Sequence, residues 1–224
     1  MIKLKLPFTR TTNHDIGSNY ISIEEYTDVM DYARKNGVKL EGFKRFSGNI
    51  GVIKEMIDDI VSIAHDFPKI LNSSKSVVIS NDTNSLDDDF ATTINHIVYI
   101  NAHIYNNLDY LKDEYDIVAQ RGHFVKNTTY RSIIRHELGH VVSNMYKLDP
   151  MMVARMLLPD KTSNEIIKYV KETVSLYAAD YPDGREFISE CFSAYYSGVD
   201  NDFAKQYVLQ CQYLIKEAYV YDKK

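Results

Sequence analysis

The stretch YRSIIRHELGHVVSNMY, residues 130–146, carries His136 and His140 four apart, with Glu137 beside the first. On an α-helix, residues four apart project from one face. Two imidazole nitrogens so placed can reach a single Zn²⁺ at about 2.0–2.1 Å each. Glu137 lies about 100° around the helix from His136, so it can border the same site without being a ligand. That suits a general base acting on a metal-activated water. Ile133, Ile134, Leu138, Val141, Val142 and Met145 line the other side, so the helix is expected to bury that side and turn the histidines toward a cleft. Arg131 and Arg135 add no chemistry of their own. By residue frequencies, a chance HExxH arises in roughly one chain in a hundred of this composition. A histidine pair on an ordinary amphipathic helix is therefore the alternative, and the rest of the chain must supply what zinc needs.

Catalytic zinc takes a third protein ligand and keeps a fourth position open. An extension of the helix as HExxHxxGxxH would provide one, but Ser143 and Tyr146 stand at those places. The better source is YPDGREFISECFSAYYSG, residues 181–198, where a helix is expected after the Pro182-Asp183-Gly184 turn. Glu186 and Glu190 sit four apart there. One carboxylate can bind metal while the other accepts the N–H of a liganding histidine from behind. Phe187, Ile188, Cys191, Phe192 and Tyr195 make the surroundings apolar, where carboxylates are costly unless paired or bound to metal. The alternative is a solvent-facing, mildly self-repelling acid pair. Glu165 and Glu172 lie on the polar face of SNEIIKYVKETV and need no such explanation.

Other elements must position these residues. A helix is expected from Ser22 to about Asn36, with Ser22 and Glu25 as a capping box and Gly37 as its stop. A second follows in IGVIKEMIDDIVSIAHDFP, with apolar residues at helical spacing (Ile53, Met56, Ile57, Ile60, Val61, Ala64) and Pro68 past its end. SVVIS (76–80) and HIVYINAHIY (96–105) read as strands, separated by NDTNSLDDDFATT (81–93) as a long polar loop. NLDYLKDEYDIVAQRG reads as a helix stopped near Gly122. After Tyr130 the chain is almost wholly helical, broken at Pro150, Pro159 and YPDG. Strands in the first half and helices in the second imply an α+β fold. Residues 1–45 are expected to form an N-terminal segment or small lobe, with the main domain over 46–224.

Composition narrows the function classes. The 224 residues are 45% apolar and 25% charged, with 18 Tyr, 9 Phe and no Trp, as in an ordinary globular chain. The formal net charge of −5 offers no basic stripe, so nucleic acid is not an expected partner. Cys191 and Cys211 form neither a CxxC motif nor a disulfide framework, which fits a reducing compartment. MIKLKLPFTR has no apolar core of the secretory kind, and no run reaches the length of a membrane span. The expectation is therefore no membrane, with a cytoplasmic location unless the protein leaves by lysis or inside a particle.

HELGH followed 46 residues after His140 by EFISECFSAYY resembles the zincin metallopeptidases related to anthrax toxin lethal factor and the Pro-Pro endopeptidases. In that family the later motif reads approximately E-F-F-A-E-x-F. The resemblance implies Zn²⁺ held by His136, His140 and Glu186, with Glu190 behind a ligand and Glu137 as the general base. It also implies a tyrosine hydroxyl supporting the oxyanion. Tyr177 is the match, with Tyr181 as the alternative, because the interval to Glu186 is about two residues longer than the family's. GFKRFSG, IKEMIDDIVSIAHDFP and HIVYINAHIY are similar to zincin-like domains encoded in phages and prophages. The implied fold is a small mixed sheet packed on the HExxH helix, followed by a mostly helical C-terminal half. The implied activity is endopeptidase cleavage of an extended peptide or protein, which HIVYINAHIY at a sheet edge could take up by strand addition. His96 and His103 on that segment, and His123, read as surface or cleft-lining histidines rather than ligands. The rival reading is a minor head-associated phage structural protein, zincin-shaped, with little or no protease activity. A proteolytic effector would share the chemistry and differ only in its target.

Overall fold

The computed structural model describes residues 2–5, 20–73, 76–82 and 89–221, which form two compact units, 1–118 and 119–224. The fold is α+β and mostly helical.

The first unit holds a mixed sheet. Its strands are β1 (Ile2–Lys5), β2 (Lys39–Glu41), β3 (Val78–Asp82), β4 (Asp89–Ile94) and β5 (Ile97–Asn101), in the order β1-β4-β5-β3-β2. β4 pairs antiparallel with β1 and β5, while β3 pairs parallel with β5 and β2. Helix α1 (Ile23–Lys35) starts at the expected capping box: Ser22 accepts from Glu25 N, and Glu25 accepts from Ser22 N at 2.8 Å. Gly37, with φ +72°, follows its end. Helix α2 (Ile50–Asp66) buries Val52, Ile53, Met56, Ile57, Ile60, Ile63 and Ala64, a stripe at three- and four-residue spacing. Short α3 (Ala102–Tyr105) follows β5, and α4 (Leu108–Gln120) reaches the boundary of the units.

Three sequence expectations fail here. Residues 81–93 are not one long loop: β3 extends to Asp82, and β4 begins at Asp89. The acidic neighbours hide β4 in the sequence, yet Phe90, Ala91, Thr92 and Thr93 are buried, and the strand is hydrogen-bonded on both edges. The Ile94–Ile97 pair closes a two-residue hairpin in which Asn95 takes φ +59°, as primed turns require. Residues 96–105 are not one strand either. Asn101 donates to Asp89 O at 2.9 Å and accepts from His103 N at 3.1 Å, so its side chain ends β5 and caps α3. Finally, β5 lies between β4 and β3, so strand addition at this segment is ruled out; the sheet's outer strands are β1 and β2.

The second unit is helical among the described residues: α5 (Ser132–Tyr146), α6 (Pro150–Leu157), α7 (Ser163–Thr173), α8 (Phe187–Tyr196) and α9 (Asp202–Tyr221). Asp149 caps α6, accepting from Met152 N at 3.0 Å with Pro150 in the first turn, and Thr162 with Glu165 makes a capping box on α7. Cys191 and Cys211 are buried free thiols, and burial pushes both upward in pKa. No described helix is long and apolar enough to cross a membrane.

Candidate metal centre

Helix α5 carries the HExxH residues and α8 packs along it. The approach is close because residue 139 is glycine: a Cβ there would stand 2.6 Å from Ser189 Cα. Real Cβ atoms do not approach a backbone carbon so nearly, so only glycine permits this contact. Ile133, Ile134, Leu138, Val141 and Val142 are buried as expected, with Met145 half-buried. The expected open face is not there. His136, Glu137 and His140 are exposed by only 2%, 1% and 3%. The helix closes at Lys147, whose φ is +55°, while Ser143 Oγ donates to Leu148 O at 2.9 Å. Ser143 thus ends the helix rather than continuing a ligand pattern.

Helix α8 and the segment ahead of it supply two acids and a tyrosine. After the turn through Gly184 (φ +69°), Glu186 occupies the cap position of α8, one residue before the helix proper. Glu190 lies one turn on, and its N–H donates to Glu186 O at 2.9 Å. Both carboxylates are buried, so the solvent-facing acid pair is excluded.

His136, His140 and Glu186 form the group able to hold a metal ion among the described residues. Glu186 Oε2 lies 3.2 Å from His136 Nε2 and 3.1 Å from His140 Nε2. None of these three atoms, nor Glu186 Oε1, makes a hydrogen bond. Orphaned polar atoms at the centre of a packed core are costly, and a cation between them satisfies all at once. Around a tetrahedral ion, ligand atoms at about 2.0–2.1 Å stand about 3.3 Å from one another, so the spacing fits a metal. Glu137 is outside this ligand group, and its charge reaches the Tyr177 hydroxyl.

The far nitrogen of His136 is also engaged. Its Nδ1 lies 2.7 Å from Glu190 Oε1. A carboxylate there makes Nδ1 the donor and leaves the Nε2 lone pair facing Glu186 and His140. Burial works to lower the His136 pKa, but Glu186 and Glu190 outweigh it and raise it to about 10 in the metal-free site. For Glu186, burial works upward and is outweighed by His140 and then His136, bringing the carboxyl down to about 2.

Tyr177 opens a short 3₁₀ turn, Tyr177–Ala179, and is buried. Its ring centroid lies 5.7 Å from that of His136 and 5.3 Å from that of His123. Burial, then the charges of Glu186 and Glu137, push its hydroxyl well up in pKa, so it is a neutral donor at any working pH. Tyr181, the alternative, is half-buried with the Arg185 guanidinium 4.7 Å above its ring. His123 is partly buried, and its burial lowers its pKa. His96 sits in the β4–β5 turn and His103 in α3; neither belongs to the ligand group. Glu165 is committed to its capping box, and Glu172 is an exposed residue facing Lys168.

Sequence reasoning passed over Ser175. Its buried hydroxyl lies 2.6 Å from Glu190 Oε2 and accepts from Ala178 N at 3.1 Å. The signal was local: a serine three residues before a turn's free N–H is a capping arrangement. No family model, curated protein or solved structure matches this chain.

Proposed function

We propose that the chain is a zinc-dependent endopeptidase of the zincin kind. The observation that carries this reading is the convergence of three buried, otherwise unpartnered ligand atoms of His136, His140 and Glu186. A zinc ion held there would supply Lewis acidity and bring the pKa of a bound water to about 7. Two neutral imidazoles and one carboxylate suit zinc, and Nδ1–H donation to Glu190 keeps His136 in the required tautomer. Glu137 takes the proton of the attacking water and returns one to the leaving amine. The Tyr177 hydroxyl donates to the oxyanion that forms at the scissile carbonyl, a contribution of about 3–4 kcal/mol for one well-placed donor. Tyr177 is preferred over Tyr181 because its ring lies beside that of His136. The substrate is a peptide or protein in extended conformation. The mixed-sheet unit followed by a helical unit is in keeping with a zincin-like fold and supports the reading.

The near-complete burial of the group favours a second reading. A metal site exposed by 0–3% could brace the fold of a phage head-associated protein without protease activity. A structural zinc is usually closed by four protein ligands, and the described ligand group has three. Elemental analysis of wild type and Glu186→Ala comes first: one zinc per wild-type chain and a large loss in the folded variant support the site. Incubation with a peptide library, read by mass spectrometry, then separates the two readings. Cleavage by wild type that disappears in a zinc-loaded Glu137→Gln variant supports the peptidase. Zinc without any cleavage supports the structural protein.

A further inference from the structure

We infer that Ser175 is a positioning residue whose one hydroxyl sets both Glu190, which holds the His136 imidazole, and the turn that carries Tyr177. The geometry is a chain of short contacts. His136 Nδ1 is 2.7 Å from Glu190 Oε1, Glu190 Oε2 is 2.6 Å from Ser175 Oγ, and Ala178 N is 3.1 Å from the same Oγ. A hydroxyl has one proton to give and lone pairs to accept with. The carboxylate can only accept and the backbone N–H can only donate, so the proton goes to Glu190 and the N–H of Ala178 points at the oxygen. Each oxygen of Glu190 thereby has one named donor, and the carboxylate is fixed at both ends. Backbone bonds hold the same segment from the other side: Leu176 N donates to Gly122 O at 3.0 Å and Tyr177 N to His123 O at 2.8 Å.

The consequence is a shared reference point. Without the hydroxyl, Glu190 Oε2 is left in a buried site without this donor, and the carboxylate is free to turn away from His136. The 3₁₀ turn Tyr177–Ala179 loses the Ala178 N–H bond to that hydroxyl at the same moment, so the segment carrying the tyrosine ring is held beside the imidazole by its backbone bonds alone. Ser175 touches neither metal nor substrate; it acts through Glu190 and Tyr177. Its effect on metal affinity rests on the proposed function, whereas its effect on the two hydrogen bonds does not.

The test uses the full chain, metal-free and then titrated with zinc. In ¹⁵N-labelled metal-free protein, Ser175→Ala is expected to shift the His136 Nδ1–H resonance and to speed exchange of the Ala178 amide about tenfold or more. Zinc affinity is expected to fall about 10- to 100-fold, as for other partners that orient a metal ligand. The fall should be absent when Ser175→Ala is placed on Glu190→Gln. Should Ser175→Ala fail to fold, Ser175→Cys, which keeps a weak donor in similar volume, gives the same comparison in milder form. A folded variant with both metal-free signals unchanged overturns the inference. A change at only one of the two overturns the shared role. If wild type takes up no zinc, the proposed function fails, and the two metal-free signals still decide the role of Ser175.

Discussion

Gly139→Ala puts a single methyl group where α5 and α8 meet. In an ordinary exposed helix this change stabilises by up to about 1 kcal/mol, because glycine is the poorer helix former. Here the new Cβ would stand 2.6 Å from Ser189 Cα and 3.1 Å from both Ser189 N and Oγ. Comfortable carbon–carbon contact begins near 3.5 Å, so α8 must retreat by about 0.9 Å. Overpacking of this size costs about 1–3 kcal/mol, which exceeds the helix gain and leaves a net loss of about 0–2 kcal/mol. Metal binding should suffer more than stability. Glu186 is one turn from Ser189 on the same segment, and ligand distances tolerate only about ±0.2 Å. A retreat of that size opens the 3.1–3.2 Å spacings between Glu186 and the histidines to about 4 Å. Zinc affinity is then expected to fall more than 100-fold, while the metal-free midpoint in urea drops modestly. Trimming Ser189 to glycine should not rescue it, since the shortest contact is to the backbone carbon. Calorimetric zinc titration beside urea unfolding of both proteins checks this. A Gly139→Ala protein that is stabilised by about 1 kcal/mol and binds zinc like wild type would refute the close helix contact and the argument built on it.

Other expectations follow from the same coordinates. Glu190→Gln should keep the fold but weaken zinc binding about 10- to 100-fold in a zinc titration, because a neutral amide orients the His136 ring less firmly than a carboxylate. Stability and metal affinity should run in opposite directions with pH. In metal-free protein the raised His136 pKa contributes stability that is complete below about 6.5 and is lost as pH rises toward about 10. The depressed Glu186 carboxyl contributes stability present above its unfolded value of 4.5 and lost as pH falls toward about 2. Zinc requires neutral imidazoles, so the stabilisation it adds should grow across the range in which the metal-free protein weakens; thermal unfolding with and without zinc at pH 6 to 9 would show parallel curves if this is wrong. In the first unit, Asn101→Ala removes a buried donor and a helix cap together and should destabilise by about 1–3 kcal/mol in urea unfolding, with no change beyond about 0.5 kcal/mol counting against the double role.

What the sequence determined by itself was what short-range geometry dictates. The spacing of His136 and His140 sets them on one helical face whatever the helix packs against, because the period is a property of the backbone. The capping box at Ser22, the stop at Gly37 and the apolar stripe of α2 are local in the same way. So was the reading of strands early and helices late. The tertiary structure decided everything that depends on segments far apart in the chain. β4 was hidden because its pairing partners, not its composition, make it a strand. The place of β5 inside the sheet, away from either edge, follows from the order of four other strands. The burial of the HExxH face comes from α8, some fifty residues later, drawn close by the absence of one methyl group at Gly139. The spacing of Glu186 and Glu190 left open which carboxylate meets Nε2 of His136 and which meets Nδ1. Only the packed helices put Glu186 at the convergence of ligand atoms and Glu190 between His136 and Ser175, because a side chain's neighbours are set by three-dimensional approach and not by its number in the chain.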